Sequence, residues 1–202
     1  MTHLRIEASE MKSAIIDLIS GSLKIGQVLI LPTDTIYGLS CLANNVSAIK
    51  RIYRLKKRNS KKPLIILVSS LAMLKKYVYV SKAQSLFLKK VWKKNSRPTT
   101  IIFRHRGILP SELTGNSDSL AVRLPKSKFL IKILKKVKLP LVSTSLNISD
   151  QAVISNLQSL IHYFPNKKRQ PDLVIDFGRC RNTKASRLID LRDSTKPIIL
   201  RK

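Results

Sequence analysis

Acidic residues are scarce in this chain of 202 residues, which holds 11 Asp and Glu against 39 Lys and Arg. The resulting formal net charge of +28 favours polyanionic partners, because Lys and Arg contacts with phosphates give sequence-independent affinity for nucleic acid. Lysines spread over solvated faces would give the same count, and the runs Lys89-Lys90, Lys135-Lys136 and Lys167-Lys168-Arg169 fit such faces. The charge alone therefore does not identify a polyanion.

Cysteine is also rare, and Cys41 and Cys180 lie far apart without C-x-x-C spacing, which excludes a disulfide framework and a zinc-ribbon pattern. We expect both to be small buried residues in a reducing compartment, the cytoplasm. Only nine prolines and six glycines accompany 44% hydrophobic residues, which predicts an ordered globular chain. No apolar run approaches the ~18 residues of a membrane-spanning helix, and the polar start predicts no signal peptide.

Apolar periodicity predicts helices that alternate with strands along most of the chain. Helices are expected at 10–20, after Asn45, after caps at Ser69 and Ser81, at 129–137 and near 157–164. Strands are expected at 28–31, 64–68, 100–103, 120–124, 141–142, 173–175, 188–191 and 198–200. This alternation predicts an α/β sheet with helices on its faces. The last three predicted strands have no helices between them, which predicts some antiparallel pairing. A single domain over 1–202 is the simplest organisation.

Two polar stretches far apart in the sequence are the strongest candidates for a binding site. Lys56-Lys57-Arg58 combines ammonium and guanidinium groups, which suit phosphate oxygens. Residues 143–147 supply three hydroxyls and an amide directly behind the apolar run 140–142, where the end of a strand can face a ligand. Taken singly, the first also fits a helix C-terminus and the second a turn with a helix cap.

Arg123 is a third candidate, because it interrupts the apolar strand predicted at 120–124. An unpaired buried charge is very costly, so this guanidinium needs an anionic partner. With few carboxylates in the chain, a ligand anion and a protein carboxylate both remain open. The segment 32–39 follows the first predicted strand and offers hydroxyls at its end, although alone it fits an ordinary strand-to-loop turn.

Taken in order, these segments resemble the Sua5/YciO/YrdC family, most closely the short form among its threonylcarbamoyl-AMP synthases. The resemblance covers about residues 10–201 and rests on the following motifs: Pro-Thr-Asp-Thr-Ile-Tyr-Gly-Leu at 32–39, Lys-x-Arg at 56–58, Lys-Pro-Leu at 62–64, Ala-Val-Arg-Leu-Pro at 121–125, Ser-Thr-Ser-x-Asn at 143–147 and Ser-x-x-x-Asp at 186–190. It implies an open, twisted, mixed α/β sheet with a basic concave surface.

The resemblance also implies an activity. Members of the family condense L-threonine, bicarbonate or CO2, and ATP into L-threonylcarbamoyladenylate, with release of pyrophosphate. A downstream transferase complex then modifies the tRNA adenosine beside the anticodon. Mg²⁺ is expected with the ATP, without a metal site in the chain. Direct contact with tRNA or double-stranded RNA through the basic surface is a further expectation, and no membrane partner is expected.

Site residues follow from the same resemblance. Those expected around threonine are Thr33, Thr35, Arg123, Ser143 and Ser186. Those expected around ATP are Lys56, Arg58, Lys62, Ser119, Ser145, Asn147 and Arg201, with Lys56 and Arg58 stabilising charge. No residue is assigned as nucleophile or acid/base: His3, His105 and His162 form no constellation, and Asp34 fits a structural role better than that of a general base.

Several positions depart from the family pattern. Where many members have Trp-Pro-Gly-Pro-x-Thr, residues 95–100 place Arg97 at the glycine position, and Leu146 stands where alanine is usual. The chain ends at Lys202, so the second domain of the long form is not expected. Two alternatives stay open: a YciO-like member, and a tRNA- or double-stranded-RNA-binding protein without adenylation activity.

Overall fold

The computed structural model describes residues 1–6, 13–93, 95–149, 151, 154, 157, 160–165, 169–178, 185–193 and 196–202. Cys180 and parts of the helix predicted near 157–164 lie outside these residues. Among the helices of the described ranges, none is long and apolar enough to cross a membrane.

The described strands form one ten-stranded sheet in the order β1-β8-β2-β3-β7-β4-β6-β5-β9-β10. The strands are β1 Thr2–Arg5, β2 Leu29–Leu31, β3 Gly38–Leu42, β4 Ile65–Leu67, β5 Thr99–Arg104, β6 Ser119–Arg123, β7 Leu141–Ser145, β8 Leu173–Asp176, β9 Arg187–Asp190 and β10 Ile198–Arg201. Of the pairings between the described strands, four are parallel and five are antiparallel, and the last two strands pair antiparallel. The predicted open, mixed α/β sheet is confirmed.

The described helices connect these strands and mostly begin at polar caps. They are α1 Ser13–Lys24, α2 Val46–Lys56, α3 Leu71–Tyr77, α4 Lys82–Val91, α5 Ser111–Thr114, α6 Lys128–Val137 and α7 Leu160–Tyr163. Asn45 caps α2 and Ser81 forms a capping box on α4, as predicted. The predicted cap at Ser69 is wrong by one residue: Ser70 accepts from Met73 N at 3.1 Å, while Ser69 Oγ reaches only Met73 Sδ.

Two strands were not predicted. All five residues of β3 are buried, so the strand carries no apolar–polar alternation, and it includes Gly38 and Ser40. It forms because β2 and β7 pair with it on either side. β1 is a mostly exposed edge strand that, among the described strands, pairs with β8 alone, more than 160 residues away in sequence.

The core lies on both faces of the sheet, because neighbouring strand residues point to opposite sides. On β4, Ile66 packs in the larger cluster with α2 and α4, whereas Leu67 packs in the second cluster with α1 and α6. Beyond the area that α1 and α6 cover, Ile65, Ile102 and Ala121 are only partly buried. This partly open region, on the sheet face that α1 and α6 cover, lies next to the candidate site.

Candidate functional site

A cavity of about 190 Å³ lies where β3, β7, β4 and β6 meet, next to the turn between β2 and β3. Most of the predicted site residues line it: Thr33, Thr35, Arg58, Arg123, Ser143, Ser145, Ser186 and Arg201. These residues come from opposite ends of the chain, and the sheet order brings them together.

The turn at 32–36 presents the first hydroxyls to the cavity. Thr33 Oγ1 donates to the carbonyl oxygen of Ile36 at 2.6 Å and accepts from the backbone N–H of Thr35 at 3.0 Å. The two threonine hydroxyls lie 2.9 Å apart. Arg123 Nη1 in turn donates to Thr35 Oγ1 at 3.2 Å. These contacts fix Thr35, which is almost fully buried, against the arginine.

Arg123 has a protein partner as well. Its Nη2 lies 3.3 Å from Asp34 Oδ1, and both side chains are 8% exposed. Burial lowers the pKa of Arg123, the Asp34 carboxylate raises it, and Arg201 lowers it further. Asp34 Oδ2 also accepts from the Lys126 N–H at 3.2 Å, which supports the structural interpretation of this carboxylate. Arg123 Nε is buried without a hydrogen-bond partner in the described part of the chain.

Gly38 on β3 and Ser143 on β7 are diagonal neighbours, because Gly38 pairs with Ser145 and Ser40 pairs with Ser143. A Cβ on Gly38 would lie 2.7 Å from Ser143 Oγ and 3.3 Å from the carbonyl oxygen of Thr144. A larger residue would therefore displace the Ser143 hydroxyl from the wall of the cavity. Close approach of the two strands explains the glycine in this motif.

Lys56 does not line the cavity. Its side chain is fully buried, and Nζ donates to Ser145 O at 2.6 Å, Asn147 O at 2.8 Å and Asn147 Oδ1 at 2.7 Å. Burial, followed by repulsion from Arg58, lowers its pKa to about 8. The ammonium thus holds the segment after β7, and it contributes charge to the site from behind that segment.

Asn147 belongs to the same arrangement. Its Oδ1 accepts from Ser145 Oγ at 2.6 Å, and its Nδ2 donates to the carbonyl oxygen of Gln151 at 2.8 Å. Like Lys56, it lies outside the cavity lining. Contacts of Lys56 and Asn147 with ATP remain predictions from the sequence.

Arg58 reaches the cavity although it is only two residues from Lys56. Lys57 adopts a left-handed conformation at the C-terminus of α2, with φ of 48°, and the chain turns there. Arg58 Nη2 then donates to the carbonyl oxygen of Pro63 at 2.9 Å, and Nε to that of Lys62 at 3.2 Å. The half-buried guanidinium is therefore held at the rim of the cavity.

Lys62 and Ser119 lie outside the cavity lining. The Lys62 side chain is exposed close to Arg58. Ser119 shares a sheet face with Arg123 at a distance of about 13 Å, because they are four residues apart on β6. Its hydroxyl pairs with that of Ser117 at 2.8 Å. Lys62 and Ser119 therefore border the partly open region of the sheet around Ile65, Ile102 and Ala121, and not the small cavity.

The last two strands close the other side of the cavity. Ser186 Oγ lies 2.8 Å from Thr100 Oγ1, and Arg201 Nε donates to the carbonyl oxygen of Ser186 at 2.9 Å. Burial, and then repulsion from Arg97, lowers the pKa of Arg201. Arg97, the residue at the family's glycine position, therefore adds a cation near this rim.

Sequence reasoning missed Asp34 as the partner of Arg123, and Thr100 and Gly38 as supports of the pocket. A signal for Asp34 was present, since a buried arginine demands a carboxylate and Asp34 lies in another site motif. Nothing in the sequence pairs Thr100 with Ser186, because the two residues are 86 positions apart and meet only through the parallel pairing of β5 and β9.

Titratable side chains elsewhere in the described ranges, which leave out the side chain of His162, form no group of metal-ligating residues. Within the described ranges, no three or more His, Cys, Asp or Glu side chains are grouped to hold a metal ion. His3 contacts Asp176 at 3.1 Å and His105 contacts the Ser117 carbonyl oxygen at 2.8 Å, both away from the cavity lining. Cys41 is buried as predicted, and burial raises the pKa of its thiol.

Residues 21–202 match the Sua5/YciO/YrdC family model, which carries the description "Telomere recombination". The chain belongs to the Sua5/YciO/YrdC family. This confirms the resemblance inferred from the motifs.

Individual relatives agree with this assignment. A threonylcarbamoyl-AMP synthase of Moraxella catarrhalis is 35% identical over 162 residues, which are 74% of this chain and 79% of the relative. The Pyrococcus abyssi enzyme of the same name is 28% identical over 187 residues, and the match spans 92% of this chain but only 53% of that protein.

Solved structures of the Sua5/YciO/YrdC family have the same fold. P. abyssi Sua5 complexed with L-threonine matches 99% of this chain with a TM-score of 0.82 at 26% identity, and 56% of its own chain is covered. E. coli YciO gives a TM-score of 0.82 over 100% of this chain and 94% of its own at 22% identity, which supports the fold alone.

Proposed function

We propose that this chain is an L-threonylcarbamoyladenylate synthase, a nucleotidyltransferase that uses L-threonine, bicarbonate or CO2, and ATP. The observation that carries the proposal is the cavity in which the buried Arg123 meets the hydroxyls of Thr35, Ser143 and Ser186. Relatives named threonylcarbamoyl-AMP synthase, and the L-threonine complex of P. abyssi Sua5, support the same substrate.

The size and polarity of the cavity suit threonine. A guanidinium binds a carboxylate through parallel N–H···O bonds, so Arg123 receives the carboxylate of the amino acid. Thr33, Thr35, Ser143 and Ser186 offer partners to its hydroxyl and amine. A volume of about 190 Å³ leaves no room for a nucleotide beside it.

ATP therefore lies across the neighbouring open part of the sheet face. Arg58 and Arg201 line the cavity, and there they contact the phosphates of an ATP that extends onto the open part of the sheet face. Ser145 borders the nucleotide from β7, with Lys56 and Asn147 behind it. Lys62 and Ser119 meet the more distant parts of the nucleotide.

The reaction needs positioning and charge neutralisation more than a protein nucleophile. The threonine amine captures CO2 as a carbamate, and a carbamate oxygen attacks the α-phosphorus as the bond to pyrophosphate breaks. Arg58 and Arg201 stabilise the negative charge that develops on the phosphate oxygens. Mg²⁺ bound to ATP would neutralise further charge on the phosphates.

The wider context follows from the same proposal. The product passes to a threonylcarbamoyl transferase complex that modifies the tRNA adenosine beside the anticodon. This places the reaction in the cytoplasm, where ATP, tRNA and reduced cysteines coexist.

The direct test incubates purified protein with ATP, labelled bicarbonate and each amino acid in turn, and measures pyrophosphate and labelled adenylate. Threonine-dependent release with label in the adenylate is expected. Rapid quenching is required so that the labile product is not lost. If no amino acid raises pyrophosphate release above the ATP-only level, the synthase proposal is wrong and a YciO-like or RNA-binding member remains.

Arg58→Ala tests the phosphate assignment. Loss of a cation that acts on the transferring phosphate is expected to lower turnover at least about a hundredfold. Lys89→Ala is the control, because this exposed lysine on α4 lies outside the cavity. Circular dichroism should show both variants folded. Wild-type turnover by Arg58→Ala would place the phosphates elsewhere.

A further inference from the structure

The segment 95–98, which leads into β5, lies beside the rim of the threonine cavity. The carbonyl oxygen of Pro98 accepts from the Arg187 N–H at 2.9 Å, and Arg201 Nε donates to the carbonyl oxygen of Ser186 at 2.9 Å. Arg201 Nη2 also lies 3.5 Å from the hydroxyl of Ser186, which lines the cavity. The segment before β5 and the guanidinium of Arg201 therefore meet at the start of β9.

The backbone of this segment is held in place. Ser96 Oγ donates to the carbonyl oxygen of Val91 at 2.6 Å, and Thr99 Oγ1 donates to that of Arg97 at 2.9 Å. The proline at position 98 restricts the residue before it to extended backbone conformations. The fold therefore determines where the side chain of Arg97 begins.

The side chain of Arg97, in contrast, has no protein partner among the described residues. It is exposed, and its guanidinium makes no hydrogen bond or ion pair within the described ranges. Burial, and then repulsion from Arg97, lowers the pKa of Arg201, so the two guanidinium groups are close enough to interact. Two neighbouring cations repel each other, whereas an anion that bridges them attracts both, and the planar guanidinium fork matches phosphate oxygens.

The course of β5 indicates which part of ATP lies beside Arg97. Thr100 pairs with Arg123 at the threonine cavity, and Ile102 pairs with Ala121 in the partly open region. Arg97 lies in the opposite direction from Thr100, before the start of β5. The α-phosphorus must meet the carbamate near Arg123, and the nucleoside lies over the open region. The β- and γ-phosphates then extend towards Arg97.

We propose that Arg97 binds the β- and γ-phosphates of ATP together with Arg201. This assignment rests on the proposed synthase reaction, which sets the order of threonine, α-phosphate and nucleoside. As the carbamate oxygen bonds to the α-phosphorus, the bond to the bridging oxygen breaks with its electron pair on pyrophosphate, and the two guanidinium groups offset that charge. A glycine, which many family members have at this position, has no side chain to reach a phosphate.

The test compares the equilibrium binding of α,β-methylene-ATP and of AMP to the full chain by titration calorimetry. The methylene analogue keeps the three phosphates and cannot release pyrophosphate. Arg97→Ala should weaken binding of the analogue about tenfold and binding of AMP less than about twofold, because AMP lacks the two outer phosphates. Arg97→Lys should restore part of the loss, because it keeps the charge without the planar fork.

Lys89→Ala is the control, because it removes the same charge from an exposed position on α4. It should change either affinity less than about twofold, since salt screens distant charges. In the synthase assay, Arg97→Ala should lower kcat/KM for ATP at least about tenfold and change KM for threonine less than about twofold. Circular dichroism should show all variants folded.

Four results would each overturn the assignment of Arg97. These are an unchanged affinity of Arg97→Ala for the analogue, equal weakening of the analogue and AMP, equal weakening by Lys89→Ala, and a wild-type protein that binds the analogue no better than AMP. Absence of threonine-dependent pyrophosphate release from the wild type would instead contradict the synthase proposal. The binding comparison needs neither threonine nor turnover, so the two failures are distinguishable.

Discussion

At the scale of single residues, burial decides what each cation does. Lys56 and Arg58 are two positions apart and carry the same charge, yet only Arg58 lines the cavity. The left-handed residue Lys57 ends α2 and redirects the chain, so Lys56 stays on the helix under the segment after β7. Lys56 is therefore a positioning residue, and its effect on the reaction passes through Ser145 and Asn147.

Lys56 predicts a pH dependence of the reaction. Burial and Arg58 lower its pKa to about 8, and the neutral amine loses one of the three donors that hold the segment after β7. We expect kcat/KM for ATP to fall as pH rises from 7 to 9.5, with an apparent pKa of about 8. In Lys56→Arg, which stays charged, this fall should be absent even if overall activity is lower.

The stability of the protein should change in the opposite direction over that range. The pKa of Lys56 is about 8 in the folded protein and ~10.4 when unfolded, so the unfolded chain binds more protons between these values. Burying the charged Lys56 ammonium lowers the free energy of unfolding. This loss of stability is full below pH 8 and disappears as the pH rises towards the pKa of the unfolded chain. Urea unfolding at each pH therefore separates loss of activity from unfolding. If kcat/KM for ATP fell with pH in Lys56→Arg as it does in the wild type, the positioning role of Lys56 would be contradicted.

At the scale of elements, caps and turns place the site residues. The turn at 32–36 fixes Thr33 and Thr35 by hydrogen bonds within itself, and the end of α2 places Arg58. These local features were visible in the sequence as a polar motif and a run of cations. The exact cap of α3 was not, because Ser69 and Ser70 have the same chemistry and only the structure shows which hydroxyl meets Met73 N.

The α3 cap gives a matched pair of variants. Ser70→Ala removes the acceptor of the Met73 N–H and should lower the free energy of unfolding by about 1 kcal/mol. Ser69→Ala removes only a contact with a sulfur atom and should change it by less than about 0.5 kcal/mol. Urea denaturation of both variants checks the difference. Equal losses, or a larger loss for Ser69→Ala, would contradict the cap assignment.

At the scale of the whole molecule, the sheet brings distant segments to one place, while charge works against compactness. With 39 cationic and 11 acidic residues, repulsion dominates in the folded state. Within the described residues, acids such as Glu112 and Asp172 are already used in ion pairs. The same excess of charge that favours a polyanion therefore lowers the stability of the isolated chain.

Salt should stabilise this protein. Raising NaCl from 50 to 500 mM shortens the screening length to a few ångströms, which weakens the repulsion among lysines and arginines. We expect the midpoint of thermal unfolding to rise by roughly 2–4 °C, equivalent to about 1 kcal/mol for a chain of this size. KCl should give the same increase, since screening depends on ionic strength. A constant or falling midpoint would show that repulsion does not limit stability.

Most of the fold could be predicted, because central strands such as β4 and amphipathic helices such as α6 carry strong apolar patterns. β3 could not be predicted, since a strand buried on both faces that contains Gly38 and Ser40 has no alternation to read. β1 depends on a distant partner strand. The organisation of residues 1–202 as one domain stays a prediction.

The sequence by itself determined the class of sheet, the family and the residue types of the site, because periodicity and motif order are local properties of the chain. Only the tertiary structure decided which residues meet. It paired Arg123 with Asp34, brought Ser186 to Thr100, and placed Lys56 behind the cavity that Arg58 lines. The physical reason is that strand order and burial join residues far apart in sequence, and local patterns alone do not select which of them meet.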